Sequence, residues 1–128
     1  MKNKDDKPKP SEGELKLAVS EYLEYKTNSG ELYADRLNSG AIYEKRGDKT
    51  YGVMLCREGT ADFFVFHKVN VGGAEFLKLI FLELKSATGK QRPEQEVFQK
   101  LVEAQGASYF LIRTVEEVME ILGEKVTN

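Results

Sequence analysis

The sequence is short of the residues that build covalent and soft-metal frameworks. It has one cysteine, Cys56, and one histidine, His67, in 128 residues. A lone cysteine excludes an internal disulfide, and no Cys/His cluster offers a zinc site. Cys56 follows Val53, Met54 and Leu55 and is expected to be a small core residue. His67 is read as a turn residue. No apolar run reaches the length of a membrane span. The charged N-terminus has no apolar segment behind it and is not a signal peptide. These absences imply a reduced, cytoplasmic setting.

Excess positive charge is also missing. The formal net charge is −2, which argues against a protein whose task is to coat nucleic acid. It leaves a nuclease open, because a metal site needs carboxylates and a bound divalent cation reverses the local field. The basic residues are grouped: Lys45, Arg46, Lys49 and Arg57 in one stretch, Lys85, Lys90 and Arg92 in another. Lys2, Lys4, Lys7 and Lys9 lie in residues 1–10, which carry little apolar surface and are expected to form a disordered tail. Residues 11–128 are then one domain, long enough for a core of its own.

The first helix is expected to start at Ser11, since Ser11 and Glu14 have capping-box spacing. Leu15, Ala18, Val19, Tyr22 and Leu23 form its apolar stripe, and Asn28-Ser29-Gly30 ends it. Short extended runs follow at 32–37, 41–43 and 51–55, with Arg46-Gly47-Asp48-Lys49 as a plain turn. Residues 62–66 and 76–85 read as two strands joined through Gly72-Gly73, pairing antiparallel. Pro93 opens a helix with Val97, Phe98, Leu101 and Val102 inward, and Gly106 closes it. Residues 108–113 form a strand, and Thr114 with Glu117 begins a last helix with Val118, Ile121 and Leu122 inward. The order predicts an α/β fold with a mixed sheet flanked by helices.

Glu83 and Lys85 are two apart in a strand, so both leave the same face, while Leu82 and Leu84 face the core. An acid and a base on an apolar strand are costly to bury unless paired or used. Asp62 begins the preceding strand, and a hairpin from 62 to 85 brings it beside Glu83. Two adjacent carboxylates repel unless a cation lies between them. Oxygen ligands favour Mg²⁺ or Mn²⁺.

Gly59-Thr60-Ala61-Asp62, Phe81-Leu82-Glu83-Leu84-Lys85, Gly89-Lys90 and Pro93-Glu94-Gln95 together resemble the VRR-NUC family, the virus-type replication-repair nuclease branch of the PD-(D/E)xK superfamily. Upstream, Arg36-Leu37-Asn38-Ser39-Gly40 is similar to its R-x-N-x-G element. The resemblance runs from about residue 14 to 118. Ala61 departs from it, standing where the family usually has proline.

The resemblance implies a PD-(D/E)xK nuclease fold and a Mg²⁺- or Mn²⁺-dependent deoxyribonuclease, acting on branched or flapped DNA in a bacterial or phage-infected cell. It implies that Asp62, Glu83 and the Leu84 carbonyl hold the cation and that Lys85 activates water. A glutamate on the first helix would join them: Glu14, which also serves as a cap, or Glu21. Gln95 would position Lys85 or a phosphate, or simply bond backbone at a helix start. Arg36, Asn38, Lys90 and Arg92 would contact DNA. A small domain covers little duplex, which makes a homodimer plausible. The rival expectation is an inactive nuclease-fold module that binds nucleic acid or protein.

Overall fold

The computed structural model describes residues 9–124. Most of the lysine-bearing segment, including Lys2, Lys4 and Lys7, lies outside the described residues. Helix α1 (Glu12–Asn28) begins at a complete capping box: Ser11 Oγ accepts the Glu14 N–H, and the Glu14 carboxylate accepts the Ser11 N–H. Strands β1 (Tyr33–Arg36), β4 (Phe63–Val71), β5 (Ala74–Leu84) and β6 (Ser108–Ile112) form one sheet in the order β1-β4-β5-β6. The first three are antiparallel; β6 runs parallel to β5. Helix α2 (Pro93–Ala104) is the crossover that a parallel neighbour requires. The chain is therefore mixed α/β, with a mixed sheet flanked by helices.

The two faces of β5 divide the labour. Ile80, Leu82 and Leu84 are fully buried with Phe63, Val65 and Ile112 against Leu15, Val19 and Leu23 of α1 and Val118 of α3 (Val115–Ile121). The alternate residues, Phe81, Glu83 and Lys85, face α2. Phe98 of α2 meets Phe81 edge-on at 5.1 Å between ring centroids, and Tyr109 lies next to it. The β4–β5 hairpin turns at Gly72 and Gly73, both left-handed at φ 59° and 87°. A two-residue turn of that hand matches the twist of the strands it joins.

Several expectations are corrected. His67 is not in a turn: it stands in the middle of β4, opposite Lys78, because the strand continues to Val71. Cys56 is half-buried rather than core, since Val53 and Met54 belong to a separate two-stranded hairpin, β2 (Ala41–Arg46) and β3 (Lys49–Met54), whose residues are almost all exposed. Val97 and Leu101 are half-exposed or more, and the buried residue of α2 is Gln95. That helix meets the sheet through Gln95 and Phe98 rather than along its whole apolar stripe. At α3, Thr114 accepts the Glu117 N–H, but the Glu117 carboxylate takes the Arg113 N–H, one residue before the cap.

Candidate functional site

Backbone pairing places Asp62 directly beside Glu83. The β4–β5 ladder ends at Phe63 opposite Leu82, so the next residues outward are Asp62 and Glu83. Asp62 Oδ2 continues the ladder with its side chain, accepting the Leu84 N–H at 2.7 Å. The Asp62 carbonyl accepts the Leu37 N–H at 2.8 Å, which ties the 37–40 segment to the same sheet end. The Lys85 N–H points the other way, to the Ile112 carbonyl at 2.9 Å. Peptide groups alternate along an extended strand, so the Leu84 carbonyl is turned to the Asp62 side.

Glu83 and Lys85 are 3% and 9% exposed. Glu83 Oε1 accepts from Gln95 Nε2 at 2.8 Å and lies 3.6 Å from Lys85 Nζ. Glu83 Oε2 is buried and has no hydrogen-bond partner among the described residues. Burial, and then the neighbouring Asp62, push the Glu83 carboxyl up to about 8, against the opposing pull of Lys85. Gln95 serves the backbone role foreseen for it, its Oε1 accepting the Arg92 N–H at 2.9 Å to cap α2, while its amide donates to Glu83. Its site partner is thus Glu83 and not Lys85.

These groups open into a polar cavity of about 430 Å³ lined by Glu12, Lys16, Ser39, Thr60, Asp62, Glu83, Lys85, Arg92 and Gln95. A larger hollow of about 620 Å³, between β5 and the later turns of α2, is mainly apolar and has no acidic residue in its wall. The acidic side chains are in the smaller one. Asp62 reaches Lys16 there, with Oδ1 3.6 Å from Nζ.

The structure brings Asp62, Glu83, Lys85, Gln95 and Arg92 to one cavity. Arg92 is largely exposed and its Nε lies 3.3 Å from Glu94 Oε1. Glu14 and Glu21 do not line it: Glu14 is exposed in the Ser11 box and Glu21 is exposed further along the helix. Glu12 and Lys16, one turn apart, hold the helix face that does. Arg36 packs its guanidinium 6.0 Å from the Phe63 ring centroid and borders a different hollow. Asn38 and Lys90 are exposed outside the wall, although Ser39, next to Asn38, is in it.

Sequence reading missed Glu12, Lys16, Ser39, Thr60 and Arg113. The signal for Glu12 and Lys16 was present: their i, i+4 spacing makes one helical row beside Leu15 and Val19. Arg113 had no local signal. Its Nη1 donates to the carbonyls of Ser86 and, at 2.9 Å, Gly89, holding the turn that follows Lys85.

The donor set suits a hard cation. Asp62 Oδ1 faces the cavity, Glu83 Oε2 lacks a donor, and the Leu84 carbonyl is turned to the same side; all are oxygen. Among the described residues no third acidic, histidine or cysteine side chain completes a cluster of three, so waters or a substrate oxygen would fill the other half of an octahedral shell. Among those residues no helix is long and apolar enough to cross a membrane. No protein-family model matches the chain, and no curated protein matches it.

Proposed function

We propose that the chain is a Mg²⁺- or Mn²⁺-dependent nuclease of the PD-(D/E)xK kind that hydrolyses phosphodiester bonds in DNA. The observation that carries the reading is the buried, unpartnered Glu83 Oε2 beside Asp62, with the Lys85 ammonium 3.6 Å from the other Glu83 oxygen. Once Glu83 is ionised, a buried acceptor with no donor costs free energy, and two carboxylates side by side add repulsion, which is why its carboxyl holds a proton up to about 8 without a metal. A divalent cation removes both costs. The Gly-Thr-Ala-Asp, Glu-x-Lys and Pro-Glu-Gln resemblance supports the same assignment.

Asp62, Glu83 and the Leu84 carbonyl would hold the cation, which supplies Lewis-acid polarisation of a phosphoryl oxygen when bound. Leu84 N–H fixes the Asp62 carboxylate so that Oδ1 is the oxygen left facing the cavity. Gln95 fixes Glu83 Oε1 in the same way and leaves Oε2. Lys85, held by burial and by Glu83, orients the attacking water and meets the charge that develops on the phosphorus oxygens. Arg92 at the mouth, largely exposed and paired with Glu94, would turn from that partner to a flanking phosphate. Branched or flapped DNA as substrate follows from the resemblance alone; a cytoplasmic setting follows from the lone cysteine, and a homodimer from the small stretch of duplex that one such domain covers.

The test is cleavage of a panel of single-stranded, duplex, flapped and four-way DNA with Mg²⁺ or Mn²⁺, with EDTA as the control. Wild-type protein cuts at least one member and EDTA stops it. Asp62→Asn, Glu83→Gln and Lys85→Ala remain folded by circular dichroism and cut none. Binding of the panel without any cleavage by the wild type would replace this reading with that of an inactive nucleic-acid-binding module.

A further inference from the structure

We infer that Lys16 is a place-holder for the metal: it neutralises Asp62 Oδ1 in the metal-free protein and, displaced by the cation, becomes a contact for the substrate phosphate. The inference rests on the proposed nuclease reading and deepens it. Asp62 has only one oxygen to give. Oδ2 is committed to the Leu84 N–H at 2.7 Å, and Oδ1 lies 3.6 Å from Lys16 Nζ. A cation shared between Asp62 and Glu83 needs that same Oδ1. An ammonium and a divalent ion compete for one oxygen, because like charges a few ångströms apart repel.

The chain makes the exchange easy. The Lys16 side chain is 35% exposed and Asp62 21%, and an ion pair this accessible contributes little and is readily exchanged. Lysine is suited to it: a compact point charge on a flexible four-carbon stem that can swing without losing a fixed donor geometry. Its root on α1 does not move, as Leu15 and Val19 on either side of it in sequence are buried in the core. Once off Asp62, the ammonium is still in the wall of the same cavity as Lys85 and Arg92. Three cations from three different segments then surround the place where a phosphodiester would lie.

Calorimetric titration of the metal alone separates this from the broader reading. Mn²⁺ is titrated into wild type, Lys16→Met and Arg92→Gln at low ionic strength. Both substitutions remove one positive charge from the cavity, but only Lys16 is against Asp62. Lys16→Met tightens Mn²⁺ about two- to fivefold, the factor expected for loss of a competing, partly exposed ion pair; Arg92→Gln leaves it unchanged. Equal tightening in both variants assigns the effect to the general field of the cavity and overturns the inference, as does no tightening in either. Wild-type protein that binds no Mn²⁺ sinks the metal-centred reading itself, a separate outcome. The second arm measures affinity for a labelled flapped duplex, with Ca²⁺ as a non-cleaving ion. Lys16→Met weakens binding severalfold with Ca²⁺ and flattens the salt slope by about one unit, but changes neither with EDTA, where Lys16 is occupied by Asp62. A loss that is the same with and without metal would show that Lys16 is an ordinary phosphate contact and no place-holder.

Discussion

Gly59 lies so close to Glu94 that a Cβ on it would stand 2.2 Å from the Glu94 carbonyl oxygen and 2.6 Å from the carbonyl carbon. Its φ is +91°, a conformation that side chains rarely adopt. The contact clamps the segment leading to Asp62 against the first turn of α2, which carries Gln95. Gly30 is a natural control, at φ +81° with open space where its Cβ would go. Gly30→Ala should cost only the left-handed term, about 1–2 kcal/mol. Gly59→Ala should cost about 3 kcal/mol or more, as the Glu94 backbone must also retreat. Thermal melts of the two variants check this; equal costs would mean that the close approach is not a constraint.

How far the sequence reveals this arrangement depends on whether the determinant is local. The capping box at Ser11, the Gly72-Gly73 turn and the alternation along β5 are local, and each is where the pattern puts it. Asp62 beside Glu83 follows from them, because one hairpin fixes both. What was not legible depends on packing between distant segments. Strand β4 runs on through His67 because β5 pairs with it throughout. The contact of Gly59 with Glu94 spans 35 residues, and Arg113 holds a turn 24 residues before it. On the first helix Glu14 carries a local signal, the cap, on which it is spent, while Glu12 and Lys16, which face the cavity, carry none as strong.

Gln95 joins the fold to the site. It is 3% exposed, caps α2 through Arg92 and donates to Glu83. Gln95→Ala removes the cap and strips a donor from a buried carboxylate. Stability should fall by about 2–4 kcal/mol, the sum of a capping loss and an unsatisfied buried acceptor. Cleavage should fall as well, through a displaced Glu83. Chemical denaturation measures the first effect. A variant as stable as wild type would show that the Glu83 bond contributes nothing to the fold.

Glu14 should matter to the helix and not to the reaction. Glu14→Gln keeps an acceptor for the Ser11 N–H and should leave both melting temperature and cleavage close to wild type. Glu14→Ala should lose about 0.5–2 kcal/mol of stability with cleavage retained at temperatures where the protein is folded. Glu12→Gln changes a charge in the cavity wall and should alter cleavage without disturbing the cap. Loss of cleavage in Glu14→Gln at unchanged stability would return that residue to the metal site.

The raised Glu83 carboxyl fixes the sign of two pH effects. Its ordinary value is 4.5 and burial with Asp62 alongside raises it to about 8. A carboxyl raised on folding favours the native state when protonated. The metal-free protein therefore keeps this contribution in full below about 4.5 and loses it as pH rises through about 8. Glu83→Gln cannot ionise, so its melting temperature should lack that decline and should overtake wild type at alkaline pH. Metal binding has the opposite dependence, since the cation needs the carboxylate. Mn²⁺ affinity should rise about tenfold per pH unit below about 8 and level off above it, with one proton released per ion. Titrations between pH 6 and 9 in buffers of different ionisation enthalpy measure the affinity and count the proton. Mn²⁺ affinity independent of pH from 6 to 8, with no proton released, would show that Glu83 is already ionised before the metal arrives. The buried, unpartnered oxygen would then belong to a carboxylate stabilised by Lys85 and Gln95, and the metal would gain nothing from displacing a proton.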